Sequence, residues 1–252
     1  MSFYDGLAVE VVFLRGTQSS SSVWSAVSAH FQSVHGSGVR IGFGSESHEL
    51  GELESVIESG SRDHFHLEIC ERVVLSFNAI GSSNVSVVSI PSDIPSVETA
   101  EAWINAFLEA DGFISARVYD ARYEYWQNAQ DFLEYEVAGR SVSGLPTTSN
   151  GLPDPLERTI IDVSANPGRR IIRSDLIEAV SSPMWVSEAL LNLANRKAAE
   201  LSFDGCSVSR VTPSVWRVDA QHGVFDGADG RQGETQERLR VLLFPNDRDT
   251  LT

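Results

Sequence analysis

The chain has 252 residues, 42% of them apolar, with 35 acidic against 19 basic side chains and a formal charge of −16. That apolar share supports a packed core and excludes wholesale disorder. The charge excludes direct nucleic-acid and anionic-membrane partners, which demand a positive surface, and favours encounter with a basic protein.

The length allows one large domain or two small ones, at roughly 100–200 residues each. Two cysteines, Cys70 and Cys206, make no disulfide framework. The opening MSFYDGLAVEVVFLR carries an acid ahead of a short apolar run, with no cleavage pattern after it. No apolar stretch approaches the ~20 residues of a membrane helix. The expected location is cytoplasmic.

In chain order, AVEVVFL over Ala8 to Leu14 predicts a strand. Val23, Trp24, Val27, Phe31 and Val34 share one helical face, with Ser20 to Ser22 as cap and Gly36 as stop. Val39 to Phe43 predicts another strand. The run SESHELGELESVIESG has no base, and Glu46, Glu49, Glu52, Glu54 and Glu58 make it a loop or a solvated short helix. Strands are expected over His64 to Glu71, Val73 to Ala79 and Val85 to Ile90, the last two joined by a hairpin at Gly81 to Asn84. Pro95 and Ser96 open a helix whose buried stripe is Val97, Ala100, Trp103, Ile104, Phe107 and Leu108, and Gly112 ends it.

A strand from Phe113 to Tyr119 opens the second half. The Gly, Pro, Ser and Thr of Gly139 to Pro155 read as a long ordered loop or a linker. Further expectations are a strand over Arg158 to Val163, a turn at Asn166 to Gly168 and a helix over Val186 to Leu201. A strand pair at Cys206 to Val211 and Val215 to Asp219 follows, then a helix over Glu234 to Phe244, stopped by Pro245. The expected fold class is α+β: two sheet-and-helix halves, 1–112 and 113–252, standing apart or merged into one compact domain. Mixed or antiparallel sheets would carry helices on one face.

Few constellations carry chemistry. In HFHLEICE, period two places His64, His66, Glu68 and Cys70 on one side of a strand. They are legitimate zinc ligand types, but side chains spaced along one strand cannot all converge on one ion. A half-buried antiparallel strand produces the same polar row. The chain shows no G-x-S-x-G elbow, no Walker loop and no G-x-G-x-x-G. Glu157 and Asp162 flank a strand as in metal-dependent nucleases, yet the following Glu-x-Lys is absent, and Lys197 is the only lysine. NPGRRIIR gathers Arg169, Arg170 and Arg173 beside a glycine turn, to hold a phosphate or to pair with the chain's own acids.

The stretch RVYDARYEYWQNAQDFLEYE, from Arg117 to Glu136, combines rings with carboxylates. Two readings stand. Tyr123, Tyr125 and Trp126 suit interface anchors, with Asp120, Glu124, Asp131 and Glu134 steering a basic partner. Alternatively, the rings anchor an irregular connection and the acids are merely solvated.

YEYWQNAQDFLEYEVAGRS, then SNGLPDPLE, then IIDVSANPGRRIIR, then LIEAVSSPMWVSE, resemble the bacterial immunity family called immunity protein fifty-two. The resemblance is clearest over about residues 113–180 and fades toward the N-terminus. It implies a non-enzymatic protein beside a type VI or polymorphic toxin, binding and neutralising a cognate nuclease by covering its active site or blocking its self-association. It does not say which residues touch the toxin.

The sequence-level expectation is therefore an intracellular immunity protein with no catalytic residue, no cofactor and no metal. Its candidate partner-binding residues are Asp120, Glu124, Asp131, Glu134, Tyr123, Tyr125 and Trp126, with Glu46, Glu49, Glu52, Glu54 and Glu58 as a second surface. The alternatives are a metal-dependent hydrolase using His64, His66 and Glu68, and a scaffold or ligand-binding module without a toxin partner.

Overall fold

The computed structural model describes residues 6–70 and 72–245. Strand β1 (Leu7–Leu14) leads to helix α1 (Ser20–His35), then β2 (Arg40–Phe43) and β3 (Glu46–Glu49). A 3-10 turn precedes α2 (Leu53–Ser59), followed by β4 (His64–Ile69), β5 (Arg72–Ala79), β6 (Val85–Ile94) and α3 (Val97–Asn105). Next come β7 (Phe113–Asp120), α4 (Ala121–Asn128) and α5 (Phe132–Val137). Short strands β8 (Thr147–Ser149), β9 (Thr159–Ile161), β10 (Ile171–Ile172) and β11 (Ile177–Glu178) follow. The chain continues through β12 (Met184–Ser187), α6 (Glu188–Leu193), β13 (Cys206–Thr212), β14 (Val215–Ala220) and α7 (Gly230–Leu243).

Ten strands form one antiparallel sheet in the order β13-β14-β12-β7-β1-β6-β5-β4-β2-β3. The class is α+β, as expected. The boundary at 112/113 falls in the turn before β7, and β7 pairs directly with β1, so the sheet crosses it unbroken. Gly112 makes that turn with φ 72°, and a Cβ there would collide with Thr17.

Helices cover both faces of the sheet, not one. The reason lies in β1, which alternates two apolar sets. Val9, Val11 and Phe13 face a core shared with α1, α2 and α3. Val12 and Leu14 face a second core, shared with α6 and α7. A strand apolar on both sides must be covered on both. Phe13 is fully buried, edge-on to Phe107 at 5.5 Å and Phe113 at 6.2 Å.

Two further corrections concern element type, and one is that Glu46–Glu49, expected as a loop or a solvated short helix, forms the edge strand β3. The apolar run over 186–201 is not one helix. β12 takes Met184–Ser187, Ser187 then caps the short α6, and a 3-10 turn covers 198–201. Sheet pairing with β7 and β14 wins over helical periodicity there, because β12 lies between them. Val34 is exposed, outside the buried stripe of α1. Glu71, the expected end of its strand, lies outside the described residues.

Candidate protein-binding surface

The acidic and aromatic stretch spans β7, α4 and α5, and its side chains are mostly committed to the fold. Glu10 of β1 stands opposite Arg117 of β7 in register, and both are buried. Arg117 Nε donates to Glu10 Oε1 at 2.8 Å, while its two terminal nitrogens donate to Glu124 at 2.7 and 3.0 Å. Arg170 reaches the other Glu10 oxygen at 2.8 Å. Burial pushes the Glu10 carboxyl up, but the guanidinium groups of Arg117 and Arg170 outweigh that and bring it down to about 2. The Arg117 guanidinium also lies 4.4 Å from the centre of the Tyr119 ring. The Tyr119 hydroxyl is raised above its ordinary range, chiefly by burial.

Asp120 caps α4, accepting from Tyr123 N at 2.7 Å, and Asp131 caps α5, accepting from Leu133 N at 3.0 Å. Asp131 also meets Arg158 at 3.7 Å. Glu134 is half-buried in the first turn of α5. The Tyr123 hydroxyl donates to buried Gln236 of α7 at 2.9 Å, and burial first of all raises it to about 12. Tyr125, Trp126 and Tyr135 form an edge-to-face ladder with 5.0 Å steps, and Arg140 lies 4.3 Å from the centre of the Trp126 ring. This ladder, with Ala129 and Ile161, is a small satellite core.

The NPGRR turn is clamped onto α4. Gln127 Oε1 accepts from Gly168 N at 3.0 Å, and Asn128 Oδ1 accepts from Arg170 N at 2.7 Å. A Cβ at position 168 would lie 2.6 Å from Gln127 Cγ and 3.0 Å from Tyr123 Cε1, which is why glycine stands there. All three arginines of this turn meet internal acids: Arg169 with Glu237, Arg170 with Glu10, Arg173 with Glu178. Two of the strings carrying the family resemblance therefore touch each other.

The second acidic run is different. Glu46, Glu49, Glu52, Glu54 and Glu58 are all exposed, on and just after β3, the last strand of the sheet. His48 lies between Glu46 at 3.7 Å and Glu52 at 3.9 Å, and Glu52 accepts from Glu49 N at 3.1 Å. An open edge bearing carboxylates resists pairing with another strand and presents negative charge to a basic surface.

Sequence reasoning passed over an apolar surface beside α5. Leu133 is 61% exposed and Val137 81%, one helical turn apart. Leu152 and Leu156, in the β8–β9 connection, are 50% and 64% exposed. The available signal was a Leu and a Val four residues apart among acids, in a segment whose buried ring, Tyr135, faces the other way.

On the metal question, β4 exposes His64 and His66 and buries Phe65 and Leu67, as its alternation predicts. His66 meets Glu68 at 3.6 Å, while His64 Nδ1 is bound to Ser61 at 2.8 Å. Among the described residues, no three His, Cys, Asp or Glu side chains are grouped to hold a metal ion. Likewise, no helix among them is long and apolar enough to cross a membrane.

No protein-family model matches the chain, and no curated protein matches it. Among solved structures, the Pseudomonas aeruginosa T6SS protein PA0821 is similar to it. The TM-score is 0.51 at 10% sequence identity, with 94% of this chain and 71% of that chain covered. At that identity the likeness is one of fold.

Proposed function

We propose that this chain is a non-enzymatic immunity protein that binds and neutralises a nuclease effector of a type VI secretion system in the cytoplasm of the producing cell. The observation that carries the reading is the exposed acidic run Glu46 and Glu49 on the edge strand β3, Glu52 in the 3-10 turn and Glu54 and Glu58 on α2, in a chain of charge −16. A nuclease must present a basic groove to phosphate, and a row of carboxylates is steered toward that groove and competes for it. The fold likeness to a T6SS protein is compatible with a role in that system.

The test is co-expression with the toxin domain encoded by the neighbouring gene. This protein restores growth, and the two purified chains form a stoichiometric complex. Persistent toxicity despite soluble expression removes the reading.

A further inference from the structure

α5 and the β8–β9 hairpin, a two-stranded sheet separate from the main one, are held together. Ile161 N donates to Gln130 O at 2.9 Å, Asp131 meets Arg158, and Tyr135 packs with Ile161. Six large apolar side chains of residues 132–156 are exposed, half of the twelve such residues described in the whole chain. Four stand out: Leu133 and Val137 on α5, Leu152 and Leu156 on the hairpin. Leu133 and Val137 share one face of α5, and the Asp131–Arg158 contact holds the hairpin that carries Leu152 and Leu156 against the start of that helix.

Charge identifies the occupant. Residues 131–158 contain five acids (Asp131, Glu134, Glu136, Asp154, Glu157) and two arginines, a net of −3. Both arginines are already engaged, Arg140 over the Trp126 ring and Arg158 with Asp131. Glu136, Asp154 and Glu157, within a few residues of the apolar side chains in sequence, are exposed. A second copy of this chain would bring the same negative surface against itself and be repelled. A partner with an apolar knob ringed by Arg or Lys is matched on both counts.

We infer that Leu133, Val137, Leu152 and Leu156 form the apolar centre of the interface with the effector, which meets it with an apolar patch rimmed by basic side chains. This rests on the immunity reading. The acids of the Glu46–Glu58 run then steer the approach, while these four side chains determine how long the complex lasts.

The probe is the purified toxin domain of the neighbouring gene, measured against wild type, L133D/V137D and the control V241D on the exposed face of α7. The double variant should lose affinity roughly 100-fold, mostly through faster dissociation, while V241D binds as wild type. Circular dichroism verifies that the double variant is folded. Should it not fold, hydrogen exchange of the wild-type complex decides, with protection expected over 132–138 and 150–157. Wild-type affinity in a folded L133D/V137D, or no protection there, overturns the inference and leaves the immunity reading standing. Absence of wild-type binding overturns both. A wild-type dimer that L133D/V137D converts to monomer assigns the surface to self-association and overturns the inference.

Discussion

Arg117 holds Glu124 through both terminal nitrogens, at 2.7 and 3.0 Å, while its Nε donates to Glu10 at 2.8 Å. One guanidinium thus ties β1, β7 and α4 together, and Arg170 closes the group from the turn beyond α4. This arrangement turns a carboxylate that suits a partner into a structural one, and it sets the first expectations.

Glu10→Gln leaves Arg117 and Arg170 facing a neutral amide in a buried site. Removing one member of a buried ionic group costs about 3–5 kcal/mol. Urea unfolding of the variant should show that loss. A midpoint equal to wild type would mean that the group contributes nothing to stability.

Glu10 also makes stability depend on pH. Its carboxyl falls from 4.5 to about 2 on folding, so its contribution is fully present above 4.5 and is lost as the pH falls toward 2. Thermal melts of wild type should decline through that window, and those of Glu10→Gln should decline less steeply. Parallel curves would assign the acid sensitivity to other groups.

Gly168→Ala drives a methyl into Gln127 and Tyr123. The expected destabilisation is about 1–3 kcal/mol, as for overpacking elsewhere. Gly38 has open space around it, so Gly38→Ala serves as the control, with no loss expected. Equal melting temperatures for the two variants would show that the clamp between the turn and α4 yields freely.

The two acidic regions separate experimentally. Reversing Glu46, Glu49, Glu54 and Glu58 to Lys should slow association with the toxin roughly tenfold or more at low salt and flatten its salt dependence. Asp120→Ala should instead lower stability by about 1 kcal/mol, through a lost helix cap, with the on-rate unchanged. Stopped-flow association at two salt concentrations, beside thermal melts, reads both. An on-rate indifferent to the four reversals removes the sheet edge from the encounter.

Much of the fold was legible locally. The short apolar run of β1, the buried Ala100, Trp103 and Ile104 of α3, and the stop at Gly36 are short-range patterns, and each appears where the sequence places it. The exposure of Glu46, Glu49, Glu52, Glu54 and Glu58 was legible from their charge, but the strand at Glu46–Glu49 was not, and Leu53 and Ile57 between these acids are drawn into the core. Ser187 shows the limit. It caps α6 with its hydroxyl bound to Leu190 N at 3.2 Å, and only the neighbours of β12 stop the helix from starting earlier.

The sequence by itself determined composition, charge, element periods and the acidic character of residues 46–58, because each depends on residues within a turn or two of one another. The tertiary structure alone decided which carboxylates stay exposed and which are drawn into internal ion pairs. Glu124 and Glu46 are the same residue type, yet Glu124 meets Arg117 across a helix-to-strand packing contact while Glu46 stands on the sheet's last strand. Whether a charge is paired or presented depends on which distant side chain folding brings to it, and that information lies in contacts between segments, not within either one.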